Sequence, residues 1–571
     1  MSVLKRRPFV LIIRDGWGHN PDPKQNDTNA IHQARKPVDD RLMKNYPNVL
    51  IRTSGEAVGL PDGVMGNSEV GHQNIGAGRV VDQEIMRINK AIRGGEFYKN
   101  ESLVGAYERA RKTGGGMHIM GLCSDAGVHS ILPHLYAILE TAKRLSFPPD
   151  RVYLHAFGDG RDSPIDAGIK YIRQIEAKMR EIGVGRVATV SGRYYAMDRN
   201  NFWDRVERAY RMFTAGEGHR AASAEEAFQY YYDHPTRDEQ RGDEFIEPTV
   251  VCPGNSEPVT IQDGDSVVFF NFRGDRPREI TKAFTFDEFP FTTKDKEGNE
   301  ARLGFDRPKK LDLYYATLTA YEQGLPVQVM FPKPPKMKDM FGDYAGRLGI
   351  RQLRCAETEK FAHVTFFFND YRDDPFPGED RILVPSPRDV STYDQKPEMS
   401  APQVTEEVLK AISSDKYDVI VVNFANGDMV GHTGDIAAAK KAIQTVDAGV
   451  GRIVDATLAK GGHLIISADH GNSEQMIDPA TGDAQRAHTT FDVPLIVVDD
   501  QLKGRRLREG GTLADIIPTA LEMMGLEKPE VMTTAAPTPA SPHASSTPAT
   551  VAAGAATTAR STGPGISDTA R

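Results

Sequence analysis

MGNSEVGH, residues Met65–His72, is the stretch around which this chain is organised. Its serine, Ser68, is flanked by small and polar residues that allow a sharp turn before a helix. Free backbone N–H groups and the positive end of a helix dipole can hold an anion at such a turn. A lone serine is more often a surface or capping residue, so Ser68 becomes a candidate phosphoryl-carrying nucleophile only if polar clusters elsewhere serve it.

Length and composition set broad limits on the kind of protein. The chain has 571 residues, enough for two or more domains, and its 26% charged and 39% hydrophobic residues are typical of a soluble globular protein. A net charge of −9 gives no reason to expect a nucleic-acid partner. Three scattered cysteines, Cys123, Cys252 and Cys355, do not form a disulfide framework, which favours a reducing compartment and predicts a cytoplasmic protein.

The N-terminal sequence has basic residues before an apolar run, as a signal peptide does. That run stops at Arg14-Asp15 and no small-residue cleavage site follows, so we interpret it as a buried strand. No window of the sequence approaches the length of a membrane helix, and no membrane partner is expected.

Apolar runs alternate with polar loops and amphipathic stretches along most of the chain. Helices are predicted around Gln83–Ile92 and over Ile131–Arg144, Ile165–Ile182 and Asp515–Met524. The predicted strands are Phe9–Arg14, Met117–Leu122, Val152–Phe157, Val187–Val190, Val267–Phe272, Asp418–Phe424, His463–Ser467 and Val493–Val498. This alternation predicts an α/β fold with mainly parallel central sheets, whose ligands bind at the carboxyl ends of the strands.

Two segments depart from the alternation. Residues Asp287–Lys310 are charged and predicted to form a loop. From about Thr533 the chain is rich in Ala, Thr, Pro, Ser and Gly, with almost no large apolar residue. Such a composition cannot bury enough surface to offset its ordering entropy, so a disordered low-complexity tail is predicted over residues 531–571.

Carboxylates and imidazoles stand at or near several predicted strand ends. They are Asp15, Asp428, His432, Asp469, His470 and His488. Together with Ser68 they could hold two divalent ions, which can deprotonate a hydroxyl and stabilise both oxygens of a phosphoryl displacement. Each pair also has an ordinary interpretation, since Asp-x-x-x-His is usually a solvated helix face and Asp469-His470 could be a turn. Their joint occurrence favours metal binding.

Arginines follow the strands of the middle segment. They are Arg161, Arg193, Arg199, Arg273 and Arg276. Five arginines in strand-end loops of an acidic protein indicate a small, multiply anionic substrate, because guanidinium binds carboxylate and phosphate through paired hydrogen bonds. Any one of them could instead make an ordinary surface ion pair. Asp162 is either a proton carrier for a substrate hydroxyl or a partner that orients Arg161.

At these residues the sequence closely resembles the cofactor-independent phosphoglycerate mutases of the alkaline-phosphatase-like superfamily. The resemblance runs from about residue 8 to residue 526, with His488 in Arg486-Ala487-His488-Thr489 completing the set. The matching stretches are Arg14–Gly18, MGNSEVGH, SDAGVHS (Ser124–Ser130), DGRDSP (Asp159–Pro164), SGRYYAMDR (Ser191–Arg199), FNFRGDR (Phe270–Arg276), AETEKFAHVTFFFN (Ala356–Asn369), NGDMVGHTG (Asn426–Gly434) and ADHGN (Ala468–Asn472).

The resemblance implies two domains: a discontinuous phosphatase-like metal domain over residues 1–82 and 312–530, and an inserted transferase domain over residues 83–311. It implies one metal ion on Asp428, His432 and His488, and another on Asp15, Ser68, Asp469 and His470. Asp162 and Lys360 join Ser68 as catalytic residues. The implied substrate contacts are His129, Arg161, Asp162, Arg193, Arg199, Arg273, Arg276 and Lys360.

The implied reaction interconverts 3-phosphoglycerate and 2-phosphoglycerate through a phosphoserine at Ser68, in glycolysis and gluconeogenesis. It needs two divalent ions, expected to be Mn²⁺ with Zn²⁺ or Co²⁺ as alternatives, and no 2,3-bisphosphoglycerate. A monomer is expected, with a small-molecule substrate as its only partner.

Two other functions are compatible with parts of this pattern. A metal-dependent phosphatase or phosphodiesterase of the same superfamily would share the metals and Ser68, but would not need His129 or the arginines. A binding or scaffold protein would use the low-complexity tail and would not need the seven metal-site residues intact.

Overall fold

The computed structural model describes residues 4, 6–294 and 298–532. Its strands are β1 (Phe9–Arg14), β2 (Asn48–Ile51), β3 (Met117–Leu122), β4 (Val152–Gly158), β5 (Arg186–Gly192), β6 (His219–Ala221), β7 (Thr249–Val251), β8 (Ser266–Phe269), β9 (Phe291–Lys294), β10 (Glu300–Leu303), β11 (Tyr314–Thr319), β12 (Gln328–Phe331), β13 (Gln352–Glu357), β14 (Glu379–Val384), β15 (Val419–Phe424), β16 (His463–Ser467) and β17 (Val493–Val498).

The α-helices of the described residues alternate with these strands. They are α1 (Ala30–Gln33), α2 (Pro37–Asn45), α3 (Ser68–Ala77), α4 (Glu84–Gly94), α5 (Glu101–Thr113), α6 (Leu132–Arg144), α7 (Gly168–Ile182), α8 (Arg193–Ala196), α9 (Trp203–Ala215), α10 (Ala224–Asp233), α11 (Arg278–Thr285), α12 (Phe341–Arg347), α13 (Thr358–Ala362), α14 (Ala401–Ser413), α15 (Asn426–Gly431), α16 (Ile436–Ala459) and α17 (Ile516–Met523). None of the helices in the described ranges combines the length and apolar character that crossing a bilayer requires.

The first sheet has seven strands in the order β14-β13-β15-β1-β16-β17-β2. Strand β1 lies at its centre and pairs in parallel with β15 and β16, so that Phe9 is level with both Val419 and His463. All six residues of β1 are buried, as expected for a parallel strand covered on both faces. Strand β17 runs antiparallel to β16 and to β2.

The second sheet has eight strands in the order β12-β11-β8-β3-β4-β5-β7-β6. The run from β12 to β5 is parallel, and β7 pairs antiparallel with β5. The two sheets have separate apolar cores, which agrees with the predicted α/β fold with mainly parallel sheets.

Strand pairing corrects one predicted boundary. The resemblance implied a return to the first sheet at residue 312, but β11 pairs with β8 of the second sheet and β12 pairs with β11. The chain therefore returns between Phe331 and Phe341, where α12 begins. Neither strand was predicted from the sequence, because the boundary was drawn just after the charged stretch that precedes them.

The predicted loop over Asp287–Lys310 is also wrong in part. It contains an antiparallel hairpin of β9 and β10, in which Phe291 is level with Leu303. The ring of Phe291 packs edge-on against Trp203 at a centroid distance of 5.8 Å. The two strands of the hairpin alternate half-buried and exposed residues over only four positions each. An alternation this short is too weak to predict a strand within a charged stretch.

The predicted tail, residues 531–571, lies outside the described residues from Thr533 onward. Met532 is described and fully buried in the core of the first sheet, and a Cβ on Gly78 would lie 2.7 Å from its Sδ. The first packed unit therefore extends at least to residue 532, two residues beyond the predicted limit.

Candidate active site

Ser68 opens helix α3, as the sequence predicted. The side chain of Asn67 caps the helix by accepting a hydrogen bond from the Val70 amide at 2.9 Å. The hydroxyl of Ser68 is buried and donates to Asp15 Oδ1 at 3.2 Å, and it lies 3.0 Å from His470 Nε2. Three chain segments, separated by 53 and by 402 positions, therefore meet at one oxygen atom.

Lys360 is the central cation of this group. Its Nζ, carried by the short helix α13, donates to Ser68 Oγ at 2.7 Å, Asp15 Oδ1 at 2.8 Å and Asp428 Oδ2 at 2.6 Å. Burial opposes the charge of Lys360, but the carboxylates of Asp15 and Asp428 outweigh it and raise the pKa of the amine. Burial raises the pKa of Asp15, and the opposing charge of Lys360 brings that pKa well below its usual range.

Asp428, His432 and His488 form one group of potential metal ligands, as predicted. Asp428 Oδ1 lies 3.1 Å from His432 Nε2 and 3.0 Å from His488 Nε2. The other ring nitrogens face backbone carbonyls, at 2.5 Å from Arg486 O for His432 and 2.9 Å from Gly66 O for His488. These contacts suit the tautomer that leaves Nε2 free for a metal.

Asp15, Asp469 and His470 form a second group of potential ligands. The His470 Nε2 atom is 3.3 Å from Asp15 Oδ1 and 3.6 Å from Asp469 Oδ2. Burial disfavours the imidazolium, but the charge of Asp469 and the hydrogen bond with Asp15 overcome it and raise the pKa of His470 to about 9.

The surroundings of the Asp469 carboxylate indicate whether a cation fits beside it. This carboxylate is fully buried and neither of its oxygens accepts a hydrogen bond, although His72 Nδ1 lies 3.3 Å from Oδ2. A buried carboxylate without hydrogen bonds is costly unless a cation balances it. The oxygen and nitrogen donors around it are those that Mn²⁺, Zn²⁺ and Co²⁺ accept, so the residues present fit a metal ion.

His72 and Asn423 tie the potential ligands together, and the sequence analysis did not single them out. The Asn423 side-chain amide donates to Asp15 Oδ2 at 2.8 Å and lies 3.1 Å from His72 Nε2. His72 Nδ1 in turn faces Ser68 O at 2.8 Å. The histidine that ends MGNSEVGH was the available signal, since it lies one helical turn after Ser68.

Glu474 is a second residue that the sequence analysis missed. Its fully buried carboxylate accepts hydrogen bonds from the amides of Gly18 at 3.0 Å and Asn472 at 2.8 Å, and from the Thr489 hydroxyl. A Cβ on Gly18 or Gly471 would lie within 2.5 Å of this carboxylate. Glu474 therefore fixes the loops that carry Asp469, His470 and His488.

The predicted anion-binding residues gather at the carboxyl end of the second sheet. Arg193, which is buried, donates to Asp159 Oδ1 and Asp162 Oδ2, both at 2.6 Å. Its other terminal nitrogen lies 2.9 Å from His129 Nε2. Burial and the charge of Arg193 lower the pKa of His129 to about 4, so the imidazole is neutral near pH 7.

The other four arginines surround this centre. Arg199 donates to Asp275 at 2.6 Å, Arg273 lies 3.1 Å from the same carboxylate, and Arg161 donates to Glu244 at 3.3 Å. Arg276 has a weak bond to Met197 O at 3.3 Å, and its buried Nε has no partner. Burial and the charge of Arg193 lower the pKa of Arg276 to about 10, as expected in a crowded cationic cluster.

The structure thus brings the predicted residues together in two groups. Ser68, Lys360 and the potential metal ligands meet at the first sheet, and His129, Asp162 and the five arginines meet at the second. Among the described residues, no hydrogen bond or ion pair joins one group to the other. Asp159 and Asp275, which hold the arginines, were missed because an aspartate near an arginine in sequence gives no sign of its partner in space.

Comparison with known proteins gives three concordant matches. A model of the metalloenzyme superfamily matches residues 7–528. The chain is 58% identical over 534 residues to a 2,3-bisphosphoglycerate-independent phosphoglycerate mutase of Rhodopirellula baltica, covering 93% of this chain and 97% of that protein. A protein with the same name from Moorella thermoacetica is 50% identical over 534 residues, covering 93% and 98%.

A solved structure is also similar. It is a phosphoglycerate mutase of Leishmania mexicana, determined at low cobalt concentration, with 33% sequence identity and a TM-score of 0.59. The match covers 93% of this chain and 97% of that one.

Proposed function

This chain belongs to the metalloenzyme superfamily and, within it, to the 2,3-bisphosphoglycerate-independent phosphoglycerate mutases, and we propose that Ser68 carries the phosphoryl group. The enzyme interconverts 3-phosphoglycerate and 2-phosphoglycerate. One observation carries the assignment of Ser68: its buried hydroxyl is held between the amine of Lys360 at 2.7 Å and the carboxylate of Asp15 at 3.2 Å. A nucleophile needs nearby groups that accept its proton and stabilise charge.

Two divalent metal ions complete the proposed site. Asp428, His432 and His488 would hold one, and Asp15, Ser68, Asp469 and His470 the other; the orphaned carboxylate of Asp469 supports this division. Bound there, the ions would lower the pKa of a serine hydroxyl and offset charge on phosphoryl oxygens. Mn²⁺ is the ion we propose, with Zn²⁺ and Co²⁺ as alternatives; the Leishmania relative was solved with cobalt.

Lys360 adds a fixed positive charge beside the nucleophile. Its raised pKa keeps the amine protonated, so it can hold a non-bridging phosphoryl oxygen during transfer. Because Nζ reaches Ser68, Asp15 and Asp428 together, it also keeps the hydroxyl aimed at one position.

The group on the second sheet binds the rest of the substrate in this proposal. Arg161, Arg193, Arg199, Arg273 and Arg276 hold the carboxylate and phosphate of phosphoglycerate, and His129 donates or accepts a hydrogen bond beside them. Asp162 moves the proton between the two glycerate hydroxyls, since its carboxylate is held within the cluster by Arg193. Glycerate remains bound there between the two halves of the reaction.

The two groups lie on different sheets, which supports a two-domain arrangement. We propose a metal domain formed by the first sheet and a substrate domain formed by the second, with closure between them bringing glycerate to phosphoserine. Closure would also exclude water, which would otherwise hydrolyse that intermediate. We further propose that the enzyme acts as a monomer in the cytoplasm, in glycolysis and gluconeogenesis.

A coupled assay tests this function. Purified enzyme with Mn²⁺ should form 2-phosphoglycerate from 3-phosphoglycerate without added 2,3-bisphosphoglycerate, and should release little inorganic phosphate. Release of mostly phosphate by the wild-type enzyme would replace the mutase with a phosphatase. Dependence on added 2,3-bisphosphoglycerate would contradict transfer through Ser68.

A further inference from the structure

A buried carboxylate holds the loop that carries Arg199. We name residues 198–202 the Arg199 loop. Asp198 Oδ1 accepts hydrogen bonds from the amides of Asn200 at 2.9 Å and Phe202 at 3.0 Å, and its Oδ2 accepts one from Arg205 Nη1 at 3.2 Å. Asp198 precedes Arg199 and bonds to the backbone that follows it, so this buried side chain fixes the loop on both sides of the arginine.

A second buried carboxylate, on helix α11, binds the amide between those two. Glu279 Oε1 accepts a hydrogen bond from the Asn201 amide at 3.0 Å. Asn201 has a φ of +63°, in the left-handed region that residues other than glycine rarely adopt. Such a conformation costs free energy and persists only where its surroundings hold it. Glu279 supplies one of the bonds that hold it, from a segment 78 positions away in sequence.

The same bond ties the Arg199 loop to the segment that carries Arg276. Arg276 precedes Glu279 by three positions, and its Nη1 donates to Met197 O at 3.3 Å. In the other direction, Arg199 Nη1 donates to Asp275 Oδ2 at 2.6 Å. A guanidinium that turns to a bound anion gives up contacts of this kind. The bond from the loop to Glu279 uses neither arginine, so it can persist when substrate is bound.

Packing alone does not account for a glutamate at position 279. Its other oxygen, Oε2, is buried and accepts no hydrogen bond. Burial and the charge of Asp198 raise the pKa of Glu279 to about 7. A buried polar group with so little compensation is costly, and its presence in a native structure calls for a role. A protonated carboxyl group still accepts the Asn201 amide through its carbonyl oxygen, as a glutamine would.

We infer that Glu279 is a positioning residue for phosphoglycerate binding, which acts through the Asn201 amide to set Arg199 in place relative to Arg276. This inference rests on the proposed function, because it takes Arg199 as a substrate contact. Paired hydrogen bonds from a guanidinium to carboxylate or phosphate require the arginine at a defined place, and a small displacement weakens them. Glu279 therefore affects substrate affinity although its own carboxyl group is bonded to the backbone.

Two substitutions of Glu279 test this inference as a matched pair. Glu279→Met keeps the length of the side chain but removes the acceptor for the Asn201 amide, whereas Glu279→Gln keeps that acceptor. The coupled assay with the Mn²⁺-loaded full-length enzyme measures KM for 3-phosphoglycerate and kcat. KM should rise about tenfold in Glu279→Met, the scale of a weakened charged contact, and stay near the wild-type value in Glu279→Gln.

A double-mutant cycle with Arg199→Ala separates positioning from general damage. If Glu279 acts through Arg199, Glu279→Met should raise KM little further in the Arg199→Ala enzyme. Asp499→Ala is the control, because Asp499 is also buried and accepts a backbone hydrogen bond, from the Gln501 amide at 2.9 Å. It should lower the melting temperature and leave KM unchanged.

Asn201 gives the same test at an exposed residue, should Glu279→Met fail to fold. Asn201→Gly keeps the amide and tolerates the left-handed backbone, so KM should stay near the wild-type value. Asn201→Ala keeps the amide but disfavours that backbone, so KM should rise about three- to tenfold as the loop shifts, the scale of about 1 kcal/mol of backbone strain.

The outcomes distinguish this inference from the proposed function. Equal KM values in Glu279→Met and Glu279→Gln, or a full additional rise in the Arg199→Ala background, would overturn the positioning role. Equal KM values in Asn201→Ala and Asn201→Gly would overturn it as well. An Arg199→Ala enzyme with wild-type KM would remove Arg199 from the substrate contacts, and this inference with it. A wild-type enzyme that releases mostly phosphate would instead overturn the proposed function.

Discussion

At the scale of single residues, the proposed chemistry depends on the hydroxyl of Ser68 as the nucleophile. Replacing it with alanine removes the only side-chain oxygen that can carry the phosphoryl group. We expect Ser68→Ala to lower the mutase rate by at least about a thousandfold, since covalent catalysis cannot proceed without the nucleophile. The coupled assay measures the rate, and thermal unfolding measures the fold, which should be unchanged.

Ser413→Ala is a suitable control, because the Ser413 hydroxyl makes a local hydrogen bond within helix α14, in which it donates to Leu409 O. It should keep full activity. A Ser68→Ala enzyme that retained more than about a thousandth of the wild-type rate would contradict the nucleophile assignment.

His463 at the start of β16 predicts a pH dependence of stability. Its ring is buried, neither nitrogen has a hydrogen-bond partner, and burial together with the charge of Arg6 lowers its pKa to about 4. An unfolded histidine titrates near pH 6.5, so between about pH 6.5 and 4 the unfolded chain binds the extra proton. The contribution of His463 to the free energy of unfolding is therefore lost as the pH falls through this window.

We expect His463→Phe to lessen that loss by about 2 kcal/mol between pH 7 and pH 4. Urea unfolding of the chelated protein at several pH values measures it, with chelator present so that metal release does not contribute. The control His32→Phe removes an exposed histidine and should leave the pH dependence unchanged. Equal acid sensitivity in His463→Phe and the wild type would show that this ring accepts a proton in the folded state.

At the scale of elements, continuous apolar runs in the sequence predicted the central strands of both sheets. Strands β1, β3, β16 and β17 have the predicted bounds, because each is a continuous apolar run that ends at a polar or glycine-rich loop. The hairpin of β9 and β10 was missed, since a surface hairpin of four-residue strands gives too little alternation. Strands β11 and β12 were not predicted, and the boundary implied at residue 312 left them out of the second sheet, because sequence order does not reveal which sheet edge a strand joins.

The same reasoning explains which site residues the sequence revealed. Asp15 follows the predicted strand β1 directly and Asp469 follows β16 by two positions, and their approach follows from the parallel pairing of these two strands. Glu474 could not be inferred in this way, because two of its partners are backbone amides and one of them, Gly18, is 456 positions away. Its role depends on how loops meet, which no local pattern records.

Glu474 gives a prediction about those loops. Replacing its carboxylate with an amide removes one of the two acceptors that hold the Gly18 and Asn472 amides and the Thr489 hydroxyl. We expect Glu474→Gln to raise the Mn²⁺ concentration for half-maximal activity by about tenfold, the usual scale for a residue that orients metal ligands. Metal titration of activity measures this, with Glu509→Gln, an exposed change, as the control.

The maximal rate at saturating Mn²⁺ separates positioning from general damage. It should approach the wild-type value in Glu474→Gln, because Glu474 touches neither substrate nor the reacting oxygen. A large fall in this rate with no change in metal affinity would contradict a positioning role.

At the scale of the whole molecule, metal removal tests both the chemistry and the assembly of the first sheet. Asp469 has no hydrogen-bond partner for its buried carboxylate, and Asp15 and Asp428 share one lysine, Lys360. Prolonged dialysis against chelator should therefore abolish activity and lower the melting temperature, and Mn²⁺ should restore both. Full activity after exhaustive chelation would contradict the two-metal site.

Arg276 tests whether the second sheet holds glycerate while the first sheet carries the phosphoserine. It lies at the carboxyl end of the second sheet with an unpartnered buried Nε, while Ser68 lies on the first. If the arginines hold glycerate while phosphoserine waits, Arg276→Ala should let glycerate escape or water enter. Mutase turnover should fall by about a hundredfold or more, because a charged contact is lost from a closed site.

The products of Arg276→Ala distinguish transfer from hydrolysis. Phosphoserine left without glycerate reacts with water, so the fraction of turnovers that end in inorganic phosphate should rise as the mutase rate falls. Arg302→Ala is the control, since that arginine is exposed on the β9–β10 hairpin and pairs only with Asp306 among the contacts of the described residues. An enzyme in which Arg276→Ala lowered the rate with no change in the phosphate fraction would retain glycerate by other residues, and Arg276 would then serve only to bind the incoming substrate.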